Sequence, residues 1–396
     1  MDKQGLNTPG QHFSPLQIGS IAEAVPPVPV ESGVAGARAA FKDYPNRQVV
    51  PVTMNGTILG LISRTALEKI IGAPPDLAAL LVPPLDTVEA SAAIEGVMAR
   101  FLKEETAGDS AAWFVVQYKQ VYLGLVELRA IIEYTNTLRV RDLTQAGEIQ
   151  RNLLDKSQVK DSRFEVLLYN KMAHELGGDF YRVFRSSKDR YLVGCFDVSG
   201  KNISGSLATM ALGACFSALE LLQFEGNPEI ITRFINSLVR DVSPSGVFVT
   251  AVLFYVDFQT MTVTIHNCGL SPVLIFAPRA LPLDAAPPVI SYTVVDPSLP
   301  PLGIQDALGL DAQQTLPIRP GLRLSAYSDG LTDMTNSRRE RYGEEKTIAL
   351  LKKFHSLPQR DLRKILEREI AAWTVSDPQG AASLADDVTL VDIRFM

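Results

Sequence analysis

The chain has 396 residues, 46% of them hydrophobic and 21% charged, enough for two or three compact domains that each bury a core. Its formal charge of -6 gives no basic surface for a phosphate backbone and argues against nucleic acid as a partner. No run approaches the ~18 apolar residues of a membrane span, and the opening MDKQGLNTPGQHFSPLQ lacks the apolar centre of a signal peptide, so a cytoplasmic chain with no membrane partner is expected.

Residues 1–21 are polar and punctuated by Gly and Pro, and are expected to be loosely ordered. A repeat follows. VVPVTMNGTILGLISRTALEKII (49–71) aligns without gaps on WFVVQYKQVYLGLVELRAIIEYT (113–135), matching Gly60 to Gly124, Leu61 to Leu125 and Ala66 to Ala130 at a constant offset of 64 residues. Each copy reads as two β-rich runs around a turn, the second holding Leu-Gly-Leu, and then an amphipathic helix. The lead-ins PVPVESGVAGARAAF and VPPLDTVEASAAIEGVMARF are extended segments that end at an acidic residue with Ser or Thr, a helix-cap signal. Repeats of this size bury their apolar faces against each other.

Over residues 22–135 this pattern resembles a tandem pair of cystathionine-β-synthase-type (CBS) domains. The resemblance implies an α/β regulatory module that often takes an adenine nucleotide. The family's ribose-binding Asp falls here on Ala66 and Ala130, and the hydroxyl kept by Ser63 is replaced by Glu127 in the second copy. A structural or dimerising pair that binds no nucleotide therefore stands level with a nucleotide-binding one.

Residues 136–158 are expected to form a linker helix. In TLRVRDLTQAGEIQRNLLD (137–155), Leu143, Ala146, Ile149 (or Gln150) and Leu153 fall on one stripe. Such a helix is a coupling rod or the seam of a homodimer, or simply a helix packed on its neighbour. From 159 to 396, strand-like and helical segments alternate as one domain. Cys195, Cys215 and Cys268 sit among apolar or small residues there, the setting of reduced thiols. The four histidines lack zinc-site spacing.

Carboxylates recur in this last domain where an apolar run gives way to Gly, Ser or Asp. They are Asp179 in LGGDFYRVF, Asp197 in YLVGCFDVSGKNISGSLA, Asp329 in LRLSAYSDGLTD, and Asp386 and Asp387 in ADDVTLVDIRF. A carboxylate at the edge of a buried strand must be paired, protonated or metal-bound. Several on one rim repel each other unless cations lie among them. Oxygen ligands without histidine favour Mg²⁺ or Mn²⁺ over zinc. Each motif alone is weak, because an Asp-Gly pair is usually a turn. The ordered set carries the reading.

In order, GGDFYRVF, DVSGK with its small-residue helix, NCGLSP, PLGI, SDGLTD and DDVTLV resemble the SpoIIE-type bacterial branch of the metal-dependent (PPM, type 2C) Ser/Thr protein phosphatases. QAGEIQRNLL resembles the helix that leads into these domains. The resemblance implies an α+β chain in which an α/β/β/α sandwich phosphatase domain follows the CBS pair and linker helix. It makes Asp197 the ligand bridging two Mn²⁺ or Mg²⁺ ions, with the carbonyl of Val198 adding a ligand. Asp179 takes the first acidic position and shares the catalytic role with Asp197. Asp329 and Asp386 complete the second ion, with Asp387 as a further metal-site residue that orients or shields. The implied reaction is hydrolysis of phosphoserine or phosphothreonine by a metal-bridged hydroxide. The implied substrate is a phosphorylated protein, with an anti-sigma-factor antagonist as the candidate.

Three departures from the family pattern are Arg182 for Asp, Asn202 for Gly and Leu270 for His, and none removes a ligand. Arg182 and Lys201 are candidates for a cationic phosphate clamp. Cysteine-phosphatase spacing, a P-loop and a G-x-S-x-G elbow are all missing. The non-enzymatic alternatives are an inactive phosphatase-like scaffold or a nucleotide sensor acting by protein binding; survival of all four ligand positions favours activity. The Pro-rich segment 277–303 reads as a loop-rich insertion near the site, more a connector than a gate.

Overall fold

A computed structural model of the chain describes residues 12–101, 113–154, 161–200, 203–243, 246–278, 290–355, 357–374 and 384–396. It divides into two compact units, Met1–Arg141 and Asp142–Met396.

The first unit runs β1 (Val28–Pro29), α1 (Gly33–Asp43), β2 (Val49–Met54), β3 (Thr57–Ser63), α2 (Arg64–Glu68), β4 (Asp86–Glu89), α3 (Ile94–Phe101), β5 (Trp113–Tyr118), β6 (Val121–Glu127) and the first part of α4 (Leu128–Leu154), whose residues from Asp142 onward belong to the second unit. Each half is a three-stranded sheet whose first strand is parallel to the second and whose second and third form a hairpin. The offset of 64 relates the two halves down to an irregularity after Val52 in one hairpin and after Val116 in the other.

The halves exchange their lead-in segments. Glu23 bridges Leu125 of the second half, and Val82 bridges Leu61 of the first, each through two backbone hydrogen bonds of 2.8–2.9 Å. This explains the repeated glycine. A Cβ on Gly124 would lie 2.5 Å from the carbonyl oxygen of Glu23, and one on Gly60 would lie 3.1 Å from that of Val82. At Gly124 only glycine admits a chain that close, while at Gly60 a side chain would force Val82 back by a few tenths of an ångström. Val115 and Leu125 pack into the core of the first half, so the apolar faces of the repeats meet.

Two local expectations change. Residues 12–21 are anchored: Ile18 is fully buried and its amide donates to the Ala92 carbonyl at 2.9 Å; residues 1–11 lie outside the described set. Ser32 precedes α1 without capping it, since its hydroxyl turns back to the Pro29 carbonyl. Ser63 does cap α2, accepting from the amide of Ala66.

The second unit runs β7 (Phe164–Lys171), β8 (Asp179–Arg185), β9 (Arg190–Val198), α5 (Ile203–Leu221), α6 (Pro228–Val242), β10 (Val249–Asp257), β11 (Thr262–Cys268), β12 (Val273–Pro278), β13 (Ile290–Val295), β14 (Gln314–Pro317), β15 (Arg323–Tyr327), α7 (Asp329–Asp333), α8 (Gly343–His355), α9 (Gln359–Trp373) and β16 (Val388–Phe395). Two antiparallel five-stranded sheets form, in the orders β14-β11-β10-β9-β8 and β13-β12-β15-β16-β7. They face each other through β16, which touches β8 and β9, while α5 and α6 cover the first sheet and α8 and α9 the second. The continuous apolar runs of β9, β10 and β16 follow from this four-layer arrangement, because a strand covered on both faces has no solvent side.

The linker helix differs from expectation. It is the C-terminal part of α4, which starts at Leu128 directly after β6. Its inward stripe takes Gln150, which is buried, and leaves Ile149 53% exposed. By length and composition α5 is apolar enough to span a bilayer, where the sequence reading found no such run. Its Ala208, Leu212 and Phe216 are instead buried in a core shared with β8 and β9. The Pro-rich segment is less loop-like than expected. Its residues 290–295 form β13 at a sheet edge, and Leu299 and Leu302 are buried beside Cys268 and Val249. Residues 279–289 lie outside the described set. All three cysteines are free.

Candidate metal centre

One end of the sandwich gathers the carboxylates. Asp179 opens β8 and is the direct cross-strand partner of Asp197 near the end of β9. Asp197 is also paired with Thr250 on β10. Asp329 begins α7 two residues after β15 ends, and Asp386 and Asp387 immediately precede β16. The end of β15 and the start of β16 lock together there: the Ser328 amide donates to the Thr389 carbonyl, and the Ser328 hydroxyl accepts from the Thr389 amide at 2.9 Å. Gly330 makes the approach feasible, since a Cβ on it would fall 1.9 Å from the Asp387 carbonyl oxygen. The glycine of SDGLTD is therefore needed for close approach.

All five aspartates line a single cavity of about 220 Å³. Val198, Ser199, Gly200, Phe248 and Thr250 add to its walls, as does the loop before β8 through Ala173, His174, Leu176 and Gly178. Sequence reasoning had not placed His174 or Thr250 here. Neither belongs to a spacing pattern, and only the pairing of β9 with β10 brings Thr250 beside Asp197.

The carboxylates are crowded. Asp179 is 2% exposed, and burial followed by the nearby Asp197 charge holds its carboxyl well above the usual carboxylate range. The hydroxyls of Thr389 and Ser328 reach one side of it, while its Oδ2 is buried with no hydrogen-bond partner. Asp197 is pushed up to about 7, by burial first and then by the charges of Asp329 and Asp386. Asp387 is raised by burial, although it accepts the backbone amides of Ala173 at 2.7 Å, Gly178 at 2.6 Å and Asp179 at 3.3 Å. Those bonds turn its oxygens toward the loop before β8, which makes it a brace for that loop.

These residues fit divalent cations. A buried carboxylate oxygen without a donor, beside a second carboxylate raised by its neighbours, is what a cation would neutralise. Among the described residues no three acidic, histidine or cysteine side chains close into a ready-made cage for one ion. An open ring of oxygens suits Mg²⁺ or Mn²⁺, which keep water in part of their coordination shell.

The proposed cationic clamp is corrected. Arg182 is 1% exposed, and its guanidinium donates to Glu220 at 2.8 Å and to the Leu153 carbonyl at 3.2 Å. Three residues from Asp179 on the same strand, it faces the helices instead of the cavity. Lys201 and Asn202 lie outside the described set. Among the described residues, the cavity lining holds no lysine or arginine. Leu270, which stands where the family has His, is buried in the core at the NCGLSP turn.

Comparison with known proteins agrees with this layout. The profile of stage II sporulation protein E (SpoIIE) matches residues 187–396, a stretch that includes Asp197, Asp329, Asp386 and Asp387 and starts after Asp179. The chain is 26% identical over 200 residues to the phosphoserine phosphatase RsbP of Bacillus subtilis, covering 50% of this chain and 46% of that protein. It is 21% identical over 288 residues to the protein IcfG of Synechocystis sp., covering 64% and 41% respectively. The chain thus spans less than half the length of these two curated relatives. The solved SiaA-PP2C domain of Pseudomonas aeruginosa matches with a TM-score of 0.52 at 20% identity, over 66% of this chain and 99% of that domain. That likeness makes the fold PP2C-like. With more than half of its residues inside the profile, the chain belongs to the SpoIIE family.

Proposed function

We propose that the chain is a metal-dependent protein phosphatase acting on phosphoserine or phosphothreonine, with the acidic cavity as its active site. The observation that carries this reading is the convergence of Asp179, Asp197, Asp329, Asp386 and Asp387 on one cavity, with a buried Asp179 oxygen lacking any donor. Asp179, Asp197, Asp329 and Asp386, with the Val198 carbonyl, would hold two Mn²⁺ or Mg²⁺ ions, and Asp387 would brace the loop behind them. When bound, such ions supply positive charge beside the phosphoryl oxygens and lower the pKa of water. The chain's own part is to hold the carboxylates fixed around the cavity and to present the phosphate in its open mouth.

The substrate reading is a phosphorylated protein, supported by the name of the RsbP relative. That it is an anti-sigma-factor antagonist rests on the resemblance alone. We read the first unit as a CBS-like regulatory pair, supported by its duplicated topology, and the working assembly as a homodimer. In place of the ribose-binding Asp, Ala66 and Ala130 leave no carboxylate, so titration with ATP, ADP, AMP or S-adenosylmethionine should give a weak thermal shift or none.

Turnover of p-nitrophenyl phosphate and of a phosphoserine peptide, with Mn²⁺ and with EDTA, tests the central reading. Mn²⁺-dependent release of phosphate is expected. No turnover with any divalent ion would leave the inactive scaffold.

A further inference from the structure

We propose that Gln150, on the last turns of α4, is a positioning residue for the acidic cavity: it fixes the Gly177–Gly178 backbone that leads into Asp179. The inference rests on reading that cavity as a metal site.

Gln150 is 2% exposed, on a helix whose neighbouring Ile149 faces solvent. A buried carboxamide is costly unless every polar atom is bonded, and here it is. Its Nε2 donates to the Gly177 carbonyl at 2.7 Å and to Thr209 Oγ1 at 2.6 Å, and its Oε1 accepts from the Gly177 amide at 3.0 Å. Thr209 spends its own proton on the Ser206 carbonyl at 2.8 Å, so its oxygen can only accept from Gln150. That fixes which end of the carboxamide meets which backbone group. A two-point bond to one residue's amide and carbonyl is geometry that neither Glu nor an apolar side chain supplies.

The contact continues one turn earlier. A Cβ on Gly147 would lie 2.2 Å from the Glu175 carbonyl oxygen, so helix and loop meet backbone to backbone. Asp387 holds the same loop from the other side through the amides of Ala173, Gly178 and Asp179. Gly177 is thus caught between Gln150 and Asp387, and the next two residues line the cavity. Gln150 does not line it. It acts through the loop, as supporting partners of metal ligands do, and loss of such a partner typically weakens metal affinity 10–100-fold.

The test uses the full chain with Mn²⁺ as the probe. Gln150→Met keeps the volume and removes all three bonds; Gln150→Glu keeps an acceptor for the Gly177 amide and loses the donor. Equilibrium Mn²⁺ binding, read from the electron paramagnetic resonance signal of free Mn²⁺, should weaken about 10–100-fold in both. Thermal midpoints in EDTA should stay within a few degrees of wild type. Raised Mn²⁺ should restore kcat, with KM for p-nitrophenyl phosphate unchanged. If Gln150→Met does not fold, Gln150→Glu, which loses the bond to the Gly177 carbonyl, carries the comparison alone. A folded variant with wild-type Mn²⁺ affinity overturns the proposal. A wild-type protein that binds no Mn²⁺ overturns the metal reading and this one with it.

Discussion

Replacing Asp197 with Asn should do two opposite things. In the metal-free protein it should stabilise. The carboxyl of Asp197 is pushed from the ordinary 3.8 to about 7 by burial and by Asp329 and Asp386. Keeping it ionised at pH 8 therefore costs about 4 kcal/mol in the folded state. Asn removes that charge at nearly constant volume; allowing for relaxation of the remaining carboxylates, we expect a gain of about 2–4 kcal/mol in EDTA at pH 8. For a unit of this size that is a rise of roughly 5–15 °C in Tm. At pH 5 the wild-type group is protonated when folded, and the gain should shrink to about 1.5 kcal/mol. With Mn²⁺ present, the variant should lose most of the metal-induced rise in Tm and on the order of 10³-fold in rate. Scanning calorimetry at both pH values, in EDTA and in Mn²⁺, reads the whole pattern. A variant that melts below wild type in EDTA at pH 8 refutes the crowding argument, and near-normal turnover refutes the site.

The pH dependence of the wild-type protein in EDTA follows with a definite sign. Folded Asp197 holds a proton that the unfolded chain releases near pH 4, so its stabilising contribution is complete below pH 4 and is lost as pH rises through about 7; Asp179, also raised by burial, acts in the same direction. Midpoints that climb across this interval, with Asp197→Asn as reference, would contradict it. Gly330→Ala would drive a Cβ to 1.9 Å from the Asp387 carbonyl oxygen; a loss of about 2 kcal/mol or more is expected from urea unfolding, together with weaker Mn²⁺ binding. In the first unit, Gly124→Ala should cost more than Gly60→Ala, because the Cβ contacts are 2.5 Å and 3.1 Å; equal costs on denaturation would mean the lead-in chains adjust freely. Arg182→Met should destabilise by about 1–3 kcal/mol through the lost bonds to Glu220 and Leu153 while leaving KM for p-nitrophenyl phosphate unchanged. A raised KM would return Arg182 to the site.

The acidic positions were legible because each stands where an apolar strand meets a turn, and local chemistry marks such a place. Their convergence was not local. It depends on β8 pairing with β9 and on β16 facing both, contacts across more than two hundred residues of chain. The repeat in the first unit was visible for a similar reason, since its hairpins fall at one offset to the residue. The exchange of lead-in segments was hidden, because Glu23 and Val82 reach the far half through backbone bonds that leave no side-chain signature. Arg182 misled because a buried guanidinium paired with Glu220 and an exposed phosphate-binding one look alike in sequence. Gln150 could be placed only on the same stripe as Ile149; the partner that selects it, Gly177, has no side chain to announce it.

The swapped lead-in segments impose an order on synthesis. Glu23 leaves the ribosome about a hundred residues before Leu125, the residue it must meet. The N-terminal hairpin therefore emerges with the backbone at Leu61 unpaired until Val82 follows, and Glu23 waits longer still. Truncations that end before Val82 would strand both of these edges in water, so such a fragment is expected to aggregate more readily than the intact pair.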